Sequence, residues 1–418
     1  MIPFKKGNIL IPKNVDMTKW SVVACDQYTS EPEYWNEVNN IVGNNPSTLH
    51  LTLPEIYLEE SNVQDRINNI NKNMIEYLNN DLFNEYKDSM IYVERTQYDG
   101  KVREGLIGVV DLEDYSFELG SQTLIRATEK TVVERIPPRM KIRENALLEL
   151  PHIMILIDDP KKQIIESLKN RVNDEDKIYD FDLMQKGGHI KGYLLKEQDM
   201  NDVINKLELL ADKQSFEEKY SVKDKGVLLF AMGDGNHSLA TAKECYEQLK
   251  KTMSEEEYLN HPSRYALVEL VNLHSDALVF EAIHRVLFDV DVDNFIKELN
   301  NYYDINEEGN GQKFELITKS YNKTLYISNP KSNIPVGSIQ MFLDEYLKNN
   351  KGRIDYVHDS EVVQNLGAKD NNVGILLEPM SKNDLFKTVI LDGSLPRKTF
   401  SMGNSNDKRF YLEARKIR

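Results

Sequence analysis

The run Gly226-Val227-Leu228-Leu229-Phe230-Ala231-Met232 passes directly into Gly233-Asp234-Gly235-Asn236, and residues 237–251 have helix composition. An apolar run bounded by glycines reads as a buried strand, and the glycine cluster as a turn. This layout of strand, glycine turn and helix belongs to a mixed α/β chain. The rest of the sequence agrees with it. Val22-Val23-Ala24-Cys25 is a compact strand-like run, and Ser30 is placed to cap a helix starting at Glu31, with Pro32 in its first turn. Helical spacing of Val63, Ile67, Ile70, Met74, Leu78, Leu82 and Phe83 predicts one long helix over about residues 62–90. Asp99-Gly100 reads as a hairpin turn, Pro137-Pro138 as a chain break, and residues 162–172 and 203–211 as helices. Residues 151–160 and 265–272 read as strands, the first ending in a turn.

Residues 291–368 follow a pattern of helix, strand, strand and helix, and the tail from 373 alternates strands with Gly and Pro turns. The expected organisation is a larger region over residues 1–288, which the resemblance given below makes the catalytic one, and a smaller α/β subdomain over residues 289–418, whose tail returns to the core. A chain of 418 residues buries a core without a disulfide or metal staple. Its two cysteines, Cys25 and Cys245, form no disulfide framework, which with the absence of a secretory pattern leads us to expect a cytoplasmic protein. Cys25, flanked by apolar residues, reads as an inert thiol. No apolar run is long enough to suggest a membrane helix. The net charge of −16 argues against nucleic acid as a partner, since phosphate neutralisation needs exposed Lys and Arg. Such a chain still allows a local basic pocket for a small anion.

The strongest chemical signal is Gly233-Asp234-Gly235-Asn236-His237-Ser238. Glycines let the backbone approach a ligand, and the first N–H groups of the following helix are unpaired at its positive end, which makes an anion site. Ser238 adds a hydroxyl, Lys243 a cation further along, and Asp234 a ligand for magnesium. The plain alternative is a tight turn with a satisfied histidine. A second signal is the basic stretch from Arg126 to Arg143. Arg126, Arg135, Arg139 and Arg143 are candidates to hold phosphates, and Glu129 beside them is a candidate base. The alternative here is a solvated helix with internal ion pairs. His152, His189, His261, His274 and His284 lack zinc-ligand spacing and read as structural. The loop Pro396 to Asn404 offers basic and hydroxyl groups for a second phosphate contact.

The segments 23–32, 124–129, 136–139, 150–154, 232–238 and 395–400 together resemble the bacterial family known as domain of unknown function 1015. The resemblance extends over nearly the whole chain. Asp234-Gly235-Asn236-His237-Ser238 stands where many members carry Asp-Gly-His-His-Arg, which is similar to the Asp-Gly-His-Thr-Arg box of the ParB/sulfiredoxin-like fold. Free-serine kinases and nucleotide-binding partition proteins use that box. The resemblance implies a ParB/sulfiredoxin-like core with elaborations. It also implies a small-molecule kinase that moves phosphate from ATP or ADP, with Mg2+, to a hydroxyl, free L-serine first among acceptors. By position Asp234, Gly235 and His237 match the box. Glu129 is the implied activating carboxylate, and Glu31 its reserve. Ser238 and Asn236 depart from the box, so the missing positive charge must come from Arg126, Arg139 or Lys243. A nucleotide-binding switch without catalysis and a metal-dependent phosphohydrolase stay open, as does a homodimer.

Overall fold

Side chains alternate across the strands Ile91–Thr96, Val102–Asp111 and Tyr265–Asn272. Ile91, Val93, Ile107, Val109 and Leu267 enter one hydrophobic core, and Tyr92, Leu106, Val110, Ala266 and Val268 enter another. A sheet covered on both faces needs helices and loops on each side, so the chain is a mixed α/β fold. The computed structural model describes residues 2–403 and 405–418.

The chain divides into two compact units, Met1–Leu278 with Asn404–Arg418, and Val279–Gly403. In the first, the main sheet runs Lys177–Asp182, His189–Leu194, Ile91–Thr96, Val102–Asp111, Tyr265–Asn272, Met154–Ile157, Phe230–Asp234, Ile125–Arg126 and Tyr115–Ser116, with Phe4–Lys5 also paired to Val102–Asp111. Met154–Ile157 is the hub for the site. It lies parallel to Tyr265–Asn272 and antiparallel to Phe230–Asp234, with Met154 opposite Asp234. The antiparallel register puts the end of one strand beside the start of the other. His152, two residues before Met154, is thereby carried to the turn that follows Asp234. Ile125–Arg126 runs parallel to Phe230–Asp234, so the residues after Arg126 continue toward the same end.

The second unit holds a six-stranded antiparallel sheet, ordered Ile305–Asn306, Asn322–Ile327, Gln312–Ile317, Val373–Leu376, His284–Phe288 and Arg353–Val357. The strand His284–Phe288 belongs to this sheet, which is why the second unit begins at Val279 rather than after residue 288.

Several local expectations are corrected. The long helix is Val63–Asn79, because Asn80 and Asp81, the latter at φ +52°, end it; Phe83–Ser89 is a strand paired with Gly7–Pro12. The helix near Pro32 is Pro32–Val42, with Glu31 rather than Ser30 at its N-cap. Pro137 and Pro138 do not break the chain; they occupy the first turn of the helix Ile136–Arg143, where a missing N–H costs nothing. Residues 162–172 contain only the short 3-10 turn Glu166–Asn170. The strand expected from Gly226 begins at Phe230. The tail contains the helix Lys382–Asp392, capped by Ser381 and closed by Gly393 at φ +83°.

Candidate functional site

At the end of Phe230–Asp234 the backbone turns at Gly235, φ +76°, and enters the helix Asn236–Lys250. A Cβ on Gly235 would lie 3.0 Å from Ile153 Cα, so the turn is packed against the segment that carries His152. Glycine at the N-cap brings no side chain to the first-turn amides. They remain available at the positive end of a four-turn helix. Asp234 accepts the Gly235 N–H through Oδ1 at 2.8 Å and faces Lys408 through Oδ2 at 3.4 Å. The Asn236 Oδ1 is buried with no hydrogen-bond partner among the described residues.

His237 accepts a long hydrogen bond from the Val132 N–H, 3.4 Å to Nε2. Burial, then the charges of Arg139 and Arg135, push its pKa down to about 4, against a partial pull from Asp26. The ring is therefore neutral at pH 7. The segment bearing Glu129 runs alongside: the Thr128 hydroxyl donates to the Met232 carbonyl at 2.9 Å, and Val132 meets His237.

The opposite wall begins with Asp26, where the chain leaves the buried run Val22 to Ala24. His152, almost fully buried, holds Nε2 3.4 Å from Asp26 Oδ2 and Nδ1 2.9 Å from the Tyr411 hydroxyl. Tyr411 donates to Cys25 Sγ at 2.9 Å, which leaves its oxygen free to accept from a protonated Nδ1. Burial alone would lower the His152 pKa; Asp26, with help from Asp234 and Glu55, raises it above the ordinary imidazole value. Burial likewise disfavours the Asp26 carboxylate, but His152, Gln27 and Lys408 outweigh it and hold Asp26 well below the usual carboxylate range. The Cys25 thiol, by contrast, is pushed up to about 12 by burial and the neighbouring Asp26, so it is not a thiolate.

A cleft of about 150 Å³ lies beside the two walls, lined by Cys25, Glu55, Arg139, His152, Ser238 and Tyr411 over an apolar floor, with Asp26, Asp234, His237 and Lys408 outside its lining. Arg139 hydrogen-bonds the Arg135 carbonyl at 2.7 Å and pairs with Glu55. Arg143 lines the same cleft, but its guanidinium is tied to buried Glu149 at 2.5 Å.

The structure thus gathers Asp234, Gly235, Asn236, His237, Ser238 and Arg139, with Gly233 on the strand end. It does not bring Arg126 or Lys243 there. Arg126 turns back and donates to the Thr123, Gly226 and Val227 carbonyls, at the start of the strand whose far end is Asp234. Lys243 is bound to the Leu112 carbonyl at 2.9 Å and to Glu247 at 2.7 Å. Glu31 is exposed at the N-cap of its helix. The positive charge beside Ser238 comes instead from Arg139, with Lys408 facing Asp234. Of the loop Pro396 to Asn404, the last residue lies outside the described residues. The sequence reading missed Asp26, His152, Tyr411 and Lys408. A signal existed for two of them: Asp26 ends an apolar run, and His152 follows Pro151 at the head of a strand.

Among the described residues no group of three or more His, Cys, Asp or Glu side chains forms a metal cage. Magnesium does not require one, since it keeps several waters and takes one or two carboxylates plus phosphate oxygens. Asp234 fits that limited role, with one oxygen toward a backbone N–H and the other toward Lys408. No helix among the described residues is long and apolar enough to cross a membrane.

Comparison with known proteins gives distant structural likeness. A free serine kinase in complex with AMP has a TM-score of 0.38 at 10% identity, covering 76% of this chain and 92% of that one. A mutant free serine kinase in complex with ADP gives 0.39 at 11%, covering 76% and 93%. SbnI with C-terminal truncation from Staphylococcus aureus gives 0.35 at 9%, covering 71% and 83%. Scores of this size carry no argument about chemistry, which rests on this chain's own residues. No curated protein matches the sequence. A family profile described as "Protein of unknown function (DUF1015)" matches residues 2–346, and the chain belongs to that family.

Proposed function

We propose that the protein is a nucleotide-dependent phosphotransferase that moves a phosphoryl group from ATP or ADP to the hydroxyl of a small molecule, with free L-serine the first acceptor to test. The observation that carries this reading is the uncapped first turn of Asn236–Lys250, set beside the guanidinium of Arg139. Bare amides with a flanking cation suit a polyphosphate. Phosphoryl transfer asks mainly for positioning and charge stabilisation.

In the proposed step the acceptor oxygen bonds to the terminal phosphorus, and the bond from that phosphorus to its bridging oxygen breaks. ADP leaves if the donor is ATP, and AMP if it is ADP. The hydroxyl proton passes to a carboxylate. Asp26 and Glu129 are the two candidates, Asp26 held ionised by His152 and Glu129 carried along the strand end by Thr128. A magnesium ion, when bound, would neutralise phosphate charge, with Asp234 as its protein ligand.

The test is incubation of the full-length protein with ATP or ADP, magnesium and L-serine, followed by 31P NMR. The expected product is O-phosphoserine, with the rate reduced about a hundredfold or more in whichever of Asp26→Asn and Glu129→Gln removes the base. Phosphate release without an acceptor would indicate a hydrolase instead. Nucleotide binding without turnover across a panel of hydroxy compounds would indicate a switch protein.

A further inference from the structure

Lys408 lies shortly after the chain has left the second compact unit, on a tail segment that belongs with the first. The residues on either side of it are gripped by charged groups of the main sheet. Arg95 donates from Nη2 to the Asn406 carbonyl at 2.9 Å and also bonds the Gly187 carbonyl. Arg103 donates from Nη1 to the Asp407 carbonyl at 2.9 Å. Arg409 faces Glu269 at 3.1 Å and pairs with Glu413. Tyr28 donates to Asn406 Oδ1 at 2.5 Å. Between these fixed points the Lys408 ammonium reaches Asp234.

This grip is not what stability alone would select. Arg95, Arg103, Arg409, Glu269 and Glu413 are all between 1% and 4% exposed. Buried ions lose their hydration, and well-packed apolar residues often serve stability as well or better. Arg95 and Arg103 even stand directly opposite each other in strand register, a repulsive arrangement that strand pairing does not need. Burial, then Arg103, pushes the Arg95 pKa down to about 9. The Arg95 Nε and Nη1 and the Arg103 Nη2 are buried without hydrogen-bond partners among the described residues. Room is made for the network by Gly105, where a Cβ would lie 2.4 Å from Glu269 Oε1. What the network achieves is a fixed path for the tail, with one lysine left pointing at the site.

We propose that Lys408 is a phosphate-binding residue, and that the buried Arg95–Arg103–Glu269–Arg409 network locks the tail so that its ammonium meets a polyphosphate at the Asp234 turn. The inference rests on the phosphotransfer reading above. Without a ligand the ammonium balances Asp234 and Asp26. A phosphate at the neighbouring amides gives it a more highly charged partner. A lysine whose only task was to neutralise Asp234 would have no effect on anion affinity once Asp234 is itself uncharged, so Lys408→Met is also compared in an Asp234→Asn background, where a loss of ADP affinity that persists supports a direct contact and one that disappears overturns it.

The test is calorimetric titration of full-length protein with ADP and magnesium chloride. It compares wild type with Lys408→Met, Lys408→Gln and Lys408→Arg. Thermal unfolding of each variant identifies those that fold as the wild type does. The Met and Gln variants are expected to bind ADP about tenfold or more weakly, with a shallower dependence on salt. The Arg variant, which keeps the charge, is expected to recover most of the affinity. If a folded Met or Gln variant binds ADP as tightly as wild type, this inference is overturned while the phosphotransfer reading stands. If wild type binds no ADP, the reading itself fails and the inference with it.

Discussion

His152 holds its Nε2 3.4 Å from Asp26 Oδ2 while the Tyr411 hydroxyl sits 2.9 Å from its other ring nitrogen. This arrangement favours the protonated imidazole, and that has a pH signature. Its raised pKa means that the folded state binds the proton more tightly than the unfolded chain. The resulting stabilisation is complete below about pH 6.5 and is lost as pH rises through the folded pKa. Asp26, with a lowered pKa, contributes in the other direction: its stabilisation is present above about pH 4 and lost as pH falls. The pair therefore contributes most between about pH 4 and 6.5. In urea unfolding, His152→Gln is expected to cost about 2 kcal/mol near pH 6, with the deficit shrinking toward pH 9. A deficit that does not change with pH would mean that the ring is neutral.

His237 responds in the opposite sense. Its pKa of about 4 reflects burial and two nearby guanidinium groups. A bound phosphate screens those cations and favours the protonated ring. We expect ADP to raise the His237 pKa by about one unit or more, visible in an NMR pH titration and as proton uptake in calorimetry near pH 5. No change on saturation with ADP would place the anion away from His237.

Arg139 and Arg126 differ in what they hold, though both lie in one basic stretch of sequence. Arg139→Met is expected to weaken ADP binding about tenfold, since its guanidinium lines the cleft. Arg126→Met leaves three backbone carbonyls without their donor and is expected to lower stability by about 1–3 kcal/mol with ADP affinity unchanged. Chemical unfolding and calorimetry on the two variants separate the roles; the reverse pattern would reassign them.

Gly235 has a backbone geometry that other residues adopt only under strain. Gly235→Ala is expected to cost about 1–2 kcal/mol, because φ is +76° and the new methyl meets Ile153 Cα at 3.0 Å. It is also expected to displace the first-turn amides and weaken ADP binding. Gly120→Ala, at φ +78° but with no atom within 4 Å of the new Cβ, is the control for backbone strain alone. Equal ADP affinity in wild type and Gly235→Ala would detach the turn from binding.

What could be read from sequence was local. Gly233 and Gly235 advertise the turn because a strand, two glycines and a helix follow each other without a gap. Asp26, His152 and Lys408 reach the site through sheet register and the returning tail, neither of which leaves a mark on neighbouring residues. Met154 opposite Asp234 decides that His152 arrives at the turn. The same dependence misleads for Arg126 and Lys243. Their charges suggest a phosphate site, but strand and helix orientation turn them toward backbone carbonyls at Gly226 and Leu112. The helix extended through Leu82 and Phe83 failed for a related reason. Apolar residues at helical spacing continue past Asn80 and Asp81, where the backbone turns into a strand paired with the N-terminal segment.

The most direct test of the account is a crystal structure of the protein soaked with ADP and magnesium. The account predicts phosphate oxygens within hydrogen-bonding distance of the amides at Asn236–Ser238, with Arg139 or Lys408 on their flank. Nucleotide bound elsewhere on the molecule, with the Asp234 turn filled only by water, would contradict it.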